Sequence, residues 1–275
     1  MASSATIEYG LGRRLGKGGG EVASGEMQEA GTSVEGPTSP LEEERRKFLR
    51  VCGLAGILAG LLFIPGNLLY VLIPPGPPPT DADLLGQFER YRPLAVTHFS
   101  LVFVYGILSI FLFVGLYRSL QASRSGFALL GTVLGVLAFA MILPGITIEY
   151  AANSILSEFY TQSAAADRNA VLAVYRGIFS LGGVFLFVTI SLLGVAFLAI
   201  GQAMKESEAF EPWVRWMTTI FGIVIVLAMV VSAMAIAGLV GGFAFLSFIS
   251  AFLLGQLVWP ILVGWKIYRL SKVAT

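Results

Sequence analysis

The sequence predicts an all-α, polytopic membrane protein, a bundle of six transmembrane helices with both termini in the cytoplasm. Of its 275 residues, 56% are hydrophobic and only 13% are charged, about half the charged fraction of a soluble domain. Six apolar stretches are long enough to cross a bilayer core of about 30 Å. Their interiors carry no Asp, Glu, Lys or Arg apart from Arg215 at the edge of the fifth. Continuous apolar runs favour helices, because barrel strands alternate over about ten residues.

The chain divides into a tail, a membrane domain and a short end. Residues 1–47 are rich in Gly, Ser, Glu and Thr and are predicted to form a disordered cytoplasmic tail, since they bury too little apolar surface to offset their ordering entropy. Residues 48–268 are the membrane domain and 269–275 a cytoplasmic tail. The predicted spans are 51–73, 95–117, 126–148, 177–202, 214–237 and 242–265, with outer loops at 74–94 and 149–176.

The orientation follows from the basic residues that flank the spans. The side with the excess of Lys and Arg faces the cytoplasm. The other side holds Arg90, Arg92, Arg168 and Arg176, and the cytoplasmic side holds Arg45, Arg46, Lys47, Arg50, Arg118, Arg124, Lys205, Arg215, Lys266, Arg269 and Lys272. Four tryptophans, Trp213, Trp216, Trp259 and Trp265, fall at that same boundary and are predicted to be interface anchors.

The two long outer connections contain helical patterns. In the first, Thr80 and Asp81 are predicted to cap a short helix whose apolar face suits the outer membrane surface; that face holds Leu84, Leu85, Phe88 and Tyr91. In the second, Asp167 is a candidate N-cap for the fourth span. A further apolar stripe precedes it, at Ile155, Leu156, Phe159 and Tyr160.

A basic block before the first span allows two interpretations. Arg45-Arg46-Lys47 followed by an apolar run resembles a twin-arginine export signal. It equally fits the basic cytoplasmic flank of a first span, and we favour the flank because a six-span chain has no large folded domain to export.

Two pairs of glycines predict close helix packing. Gly56 and Gly60 are four residues apart in the first span, and Gly131 and Gly135 repeat this spacing in the third. Small residues at this spacing let helix backbones approach each other. The pairs indicate packing within the bundle or, alternatively, self-association.

Pro-Gly pairs at Pro65-Gly66 and Pro144-Gly145 lie in the outer halves of the first and third spans. Proline kinks a helix, and broken helices at matching positions are typical of transporter sites. The alternative is an ordinary structural kink.

Four polar residues map to the outer third of the bundle: Asn67, His98, Glu149 and Arg176. Glu149 and Arg176 flank the same connection, so an ion pair between them is predicted. His98 would be the group that titrates near neutral pH. The set is a candidate outer ligand or sensing site. The alternative is a set of interfacial residues that water and each other satisfy.

The second half of the chain resembles an uncharacterised family of six-helix bacterial integral membrane proteins over about residues 95–240. The resemblance lies in Arg176-Gly177 at the start of span four, the glycines through Gly201, the turn Phe210-Glu211-Pro212-Trp213-Val214-Arg215-Trp216, and Gly222, with a weaker part at Tyr117-Arg118-Ser119-Leu120. It implies the fold and a bacterial plasma (inner) membrane location, and no activity.

Composition limits the functional classes. One cysteine, Cys52, excludes an internal disulfide and a multi-cysteine metal site, and one histidine excludes bis-histidine haem. We predict no cofactor, no nucleic-acid partner and no catalysis, since no Gly-x-Ser-x-Gly, His-Glu-x-x-His or phosphate-binding loop is present. The favoured function is a non-catalytic accessory, structural or regulatory component that acts through the lipid bilayer and another membrane protein, or through self-association. The alternative is a carrier or receptor that binds a small or lipidic ligand in an outward-facing pocket.

Overall fold

The computed structural model describes residues 39–71, 81–121, 126–236 and 242–273, and their regular structure is helical. The helices are α1 Pro40–Val71, α2 Asp81–Arg90, α3 Arg92–Leu120, α4 Gly126–Gln162, α5 Arg168–Lys205, α6 Pro212–Ile236 and α7 Gly242–Val273. The all-α prediction is therefore confirmed over the described ranges. Five helices, α1, α3, α4, α5 and α6, are long and apolar enough to cross a membrane, as in a multi-pass membrane protein. The sixth predicted span is contained in α7.

α1 begins within the predicted tail. The predicted tail ran to residue 47, whereas the helix starts at Pro40; residues 1–38 lie outside the described part of the chain. The Glu42 backbone N–H donates to Ser39 Oγ and the Ser39 N–H to the Glu42 carboxylate, both at 3.3 Å. This reciprocal capping box, with proline at the first helical position, explains why the helix starts here. Arg45 and Arg46 therefore belong to the same helix as the first span.

The predicted outer loop 149–176 is mostly helix. α4 has 37 residues and α5 has 38, so at about 1.5 Å per residue each is about 55 Å long, well beyond a bilayer core of about 30 Å. The break lies between Gln162 and Arg168. Asp167 does occupy the N-cap position of α5, although its side chain makes no capping hydrogen bond.

The six long helices form a closed ring. α1 contacts α3, and the contacts continue through α4, α5, α6 and α7 back to α1, with α3 also touching α7. Its centre is an aromatic core to which every long helix contributes, with successive ring centroids 4.4–6.0 Å apart. The aromatic core consists of Phe63, Tyr105, Phe113, Phe139, Phe197, Phe221 and Trp259.

Glycines bring the helices together at several heights. A Cβ on Gly56 would lie 3.0 Å from Gly264 Cα of α7, and a Cβ on Gly60 would lie 2.7 Å from the Leu257 carbonyl oxygen. On α4, a Cβ on Gly131 would lie 2.9 Å from the Ala196 oxygen of α5, while Gly135 faces the Phe113 ring. Both predicted pairs thus contact neighbours within the bundle.

The short helix α2 packs on protein. Leu85 is 0% exposed and Phe88 is 8% exposed, and the Phe88 ring lies 6.3 Å from that of Tyr150 on α4. The prediction that this apolar face rests on the outer membrane surface was wrong, because the extension of α4 beyond its predicted span supplies a protein surface that covers it.

Candidate functional site

The first Pro-Gly pair brings two of the predicted site residues together. α1 continues as a helix through Pro65, and Gly66 is buried where α3 crosses. His98 Nδ1 on α3 lies 2.6 Å from the Gly66 carbonyl oxygen, and Asn67 Nδ2 donates to the Phe63 carbonyl at 2.9 Å within α1. The His98 contact therefore links α3 to the Pro65-Gly66 segment of α1, whereas the Asn67 bond lies within α1.

The second Pro-Gly pair also lies at a contact between two helices. Pro144 lies inside the continuous helix α4, and a Cβ on the buried Gly145 would be 3.3 Å from Phe185 Cβ of α5. Each glycine is a contact point between helices: Gly66 against α3 and Gly145 against α5.

Arg176 pairs with a different acid from the one predicted. Its guanidinium Nε donates to the carboxylate of Asp81, the first residue of α2. The predicted Glu149–Arg176 pair is therefore replaced by a link between α5 and α2. The Asp81 side chain is 29% exposed and the Arg176 side chain is 69% exposed, so the pair lies at the surface of the bundle.

Glu149 lines a very small cavity between α4 and α5. The cavity volume is about 10 Å³, and its other walls include Asn153, Tyr175 and Phe179. This is about the space for one water molecule. Asn153 Nδ2 donates to the Glu149 backbone carbonyl at 2.8 Å. The predicted site residues thus divide into three places: Asn67 and His98 at the contact of α1 with α3, Glu149 at the contact of α4 with α5, and Arg176 at the contact of α5 with α2.

A polar layer that was not predicted from the sequence joins α2 and α3 to the C-terminal end of α4. Arg92 Nη2 donates to Ser154 Oγ at 2.8 Å, and its Nη1 lies 3.6 Å from Glu89. Ser157 Oγ, which is fully buried, lies 3.2 Å from Glu89 Oε2. A shallow cavity of about 280 Å³ lies beside Arg92 and Ser154. Only the serines at positions 154 and 157, one helical turn apart, signal this layer in the sequence.

Hydrogen bonds between helices also lie within the bundle. The Tyr105 hydroxyl donates to Gln256 Oε1, joining α3 to α7, and the Trp259 indole N–H donates to Thr218 Oγ1 at 2.9 Å, joining α7 to α6. Trp259 is only 2% exposed, so its predicted role as an interface anchor is wrong. Its position in the sequence near other tryptophans did not show that it faces the ring interior.

The other three tryptophans are exposed at the end where α5 ends and α6 begins. The exposed fractions are 54% for Trp213, 60% for Trp216 and 47% for Trp265. We call this the inner end of the bundle, after the side that the sequence predicts to face the cytoplasm. These indoles have the exposure that interface anchors require.

No family model, curated protein or solved structure matches this chain. Among the residues that the structure describes, no cluster of three or more His, Cys, Asp and Glu side chains is arranged to hold a metal ion.

Proposed function

We propose that this chain is a six-span, non-catalytic component of the plasma membrane that has both termini in the cytoplasm and acts through a partner protein within the bilayer. The apolar helices, the basic inner end and the exposed tryptophans support this placement. The aromatic core, to which all six long helices contribute, supports a packing role, because the side chains fill the ring centre where a carrier needs a path.

The proposal rests on the exposed apolar surface of the outer half of α5. α5 and α6 are in close contact from Gly201 to Gly194, where a Cβ on Gly194 would be 2.9 Å from Val226 Cγ2. Towards the outer end, among the described residues, α5 contacts α4 through Tyr175 and α2 through Arg176. This part of α5 exposes apolar side chains that include Phe179, Leu181, Val184, Leu186 and Phe187. No described atom lies within 4 Å of a Cβ built on Gly183. An apolar helix with open small residues suits close approach of a helix from another protein.

A pair of matched variants tests the partner role. Gly183→Trp blocks the open surface of α5, and Leu58→Trp places the same bulky residue on α1, where Leu58 is 49% exposed. After cross-linking in native membranes and purification in mild detergent, the wild-type chain and Leu58→Trp should recover the same stoichiometric partner. Gly183→Trp should lose at least tenfold of it. A wild-type chain that recovers no stoichiometric partner, or a partner that both variants retain equally, contradicts the proposal.

The orientation has its own test. In a Cys52→Ala background, a single cysteine at Lys205 should react with an impermeant maleimide only after the cells are opened. A cysteine at Glu158 should react in intact cells. The reverse pattern contradicts the proposed orientation without affecting the helical bundle.

The carrier or receptor alternative has less support. Its predicted pocket required Asn67, His98 and Glu149 around one opening, whereas the cavity beside Glu149 has a volume of about 10 Å³ and His98 bonds to α1. If His98→Ala or Glu149→Ala abolished binding of a small ligand without changing expression or the melting temperature, this alternative would replace the partner role.

A further inference from the structure

The inner end of α7 carries two aromatic side chains, each followed by a basic side chain one helical turn later. Trp265 is four residues before Arg269 and Tyr268 is four residues before Lys272, so the members of each pair are neighbours on the helix surface. The Trp265 and Tyr268 rings stack with centroids 6.0 Å apart. Arg269 Cζ lies 5.1 Å from the Trp265 centroid, and Lys272 Nζ lies 4.8 Å from the Tyr268 centroid. We call these four residues the α7 ladder.

Neither cation of the α7 ladder forms an ion pair with an acid of the described residues, although the charge of Arg269 contributes to the lowered pKa of Glu211. Glu211 at the start of α6 is bonded to Lys266, with Oε1 2.5 Å from Nζ. Among the described residues, no carboxylate oxygen lies within 4.0 Å of Arg269 or Lys272. A cation over an aromatic face keeps its outward N–H groups free. Both cations can therefore donate to an anion outside the protein.

A second pair of the same kind lies where α5 meets α6. Lys205 Nζ is 5.1 Å from the centroid of the exposed Trp216 ring. The neighbouring Arg215 bonds within the protein instead. Its Nε donates to the Phe210 carbonyl at 2.7 Å and so holds the turn between the helices. Lys205 is thus a third cation at the inner end that lies over an aromatic ring.

We propose that the α7 ladder, with Lys205 and Trp216, binds the headgroups of anionic phospholipids in the cytoplasmic leaflet. Indole and phenol rings prefer the level of lipid headgroups, and here Trp216 and Trp265 are exposed and Tyr268 is half-buried. Stacked Arg and Lys side chains supply several hydrogen-bond donors to a phosphate. The ligand is a phospholipid because the donors are fixed beside rings that need an apolar boundary. The inference rests on the membrane placement in the proposed function and is independent of the partner surface on α5.

Tryptophan fluorescence reports on this end of the molecule. All four tryptophans are within residues 213–265, three of them exposed at the inner end. The full chain is reconstituted in phosphatidylcholine vesicles that contain brominated phosphatidylglycerol or brominated phosphatidylcholine, whose bromine atoms quench nearby indoles. We expect stronger quenching by phosphatidylglycerol. Each neutralised cation should lower the relative association constant about fivefold, since a basic residue near an anionic surface contributes about 1 kcal/mol.

Three variants define the outcome. Arg269→Gln with Lys272→Gln should remove most of the preference, and Arg269→Lys with Lys272→Arg should keep it. Arg90→Gln with Arg168→Gln is the matched control, because each of these arginines lies over a tyrosine at the opposite end. A high salt concentration should weaken the preference.

Equal quenching of the wild-type chain by the two brominated lipids overturns the proposal, and so does an equal loss in the control variant. If the double glutamine variant does not fold, the wild-type ratio and its salt dependence decide the question. None of these outcomes depends on whether Gly183→Trp releases a partner, so failure of the lipid site and failure of the partner surface are distinguished.

Discussion

The contact between α1 and α7 gives the sharpest stability prediction. A Cβ added at Gly264 would lie 2.7 Å from the Gly53 carbonyl oxygen, 2.7 Å from the Ile57 nitrogen and 3.0 Å from the Gly56 carbonyl carbon. All three neighbours are backbone atoms, so no side-chain rotation relieves the clash. Ordinary contact begins at 3.4 Å, and moving from 2.7 Å to that distance requires a separation of about 0.7 Å.

A gap of this size removes about a quarter to a half of the dispersion attraction between the facing atoms. We therefore expect Gly264→Ala to lower the free energy of unfolding by about 1–3 kcal/mol, the usual cost of overpacking. The matched control is Gly182→Ala on α5, where no described atom lies within 4 Å of the new Cβ. There alanine should be neutral or stabilising by up to about 1 kcal/mol, because it restricts the unfolded chain.

The measurement is reversible unfolding of both variants in mixed micelles of neutral detergent and dodecyl sulfate, followed by circular dichroism. Equal stability of Gly264→Ala and Gly182→Ala would refute the argument that backbone contact between α1 and α7 holds the ring closed.

Three further predictions concern single contacts. A double-mutant cycle of Trp259→Phe and Thr218→Val in the same unfolding assay should give a coupling energy of about 0.6 kcal/mol and at most about 1.7 kcal/mol, the range for hydrogen bonds between membrane helices; a value of zero would mean that their hydrogen bond adds nothing. The bond from Lys266 holds the pKa of Glu211 below its ordinary value of 4.5, so the pair stabilises the fold above that pH and loses its effect as the pH falls through the lowered pKa. Glu211→Gln should therefore lower the free energy of unfolding at pH 7 by no more than about 1 kcal/mol, because the pair is part-exposed. The difference from the wild-type chain should disappear as the pH falls through the lowered pKa of Glu211. Leu85→Ala removes a fully buried side chain from α2, and this should cost about 2–5 kcal/mol locally and speed amide hydrogen exchange in α2; unchanged exchange would contradict docking on α4.

Hydropathy predicted where apolar helices occur but not how far they continue. The third span was predicted to end at residue 148, yet α4 continues to Gln162. The residues after 148 become more polar, which ends an apolar run without ending a helix. In this extension Ser154 and Ser157 bond to Arg92 and Glu89, contacts between distant segments that a scan of local composition does not detect.

The prediction of the candidate site failed for a related reason. The sequence placed Asn67, His98, Glu149 and Arg176 at one depth, and depth alone does not show which helices are adjacent. The order of the ring separates the contact of α1 with α3 from the contact of α4 with α5, so His98 and Glu149 have different neighbours. Asp81 could be recognised as the partner of Arg176 only once α2 was seen to pack beside α5.

The register of α7 connects the packing of the ring to the charge of its inner end. Gln256 bonds to α3, Trp259 bonds to α6 and Gly264 lies against α1. These three contacts face three different helices at three heights, so a shift of α7 by one residue would turn all of them away from their partners. In an apolar solvent the two hydrogen bonds are not replaced by water. The same register sets the position of the α7 ladder, so Gly264→Ala should reduce the preference for phosphatidylglycerol even though every cation is still present.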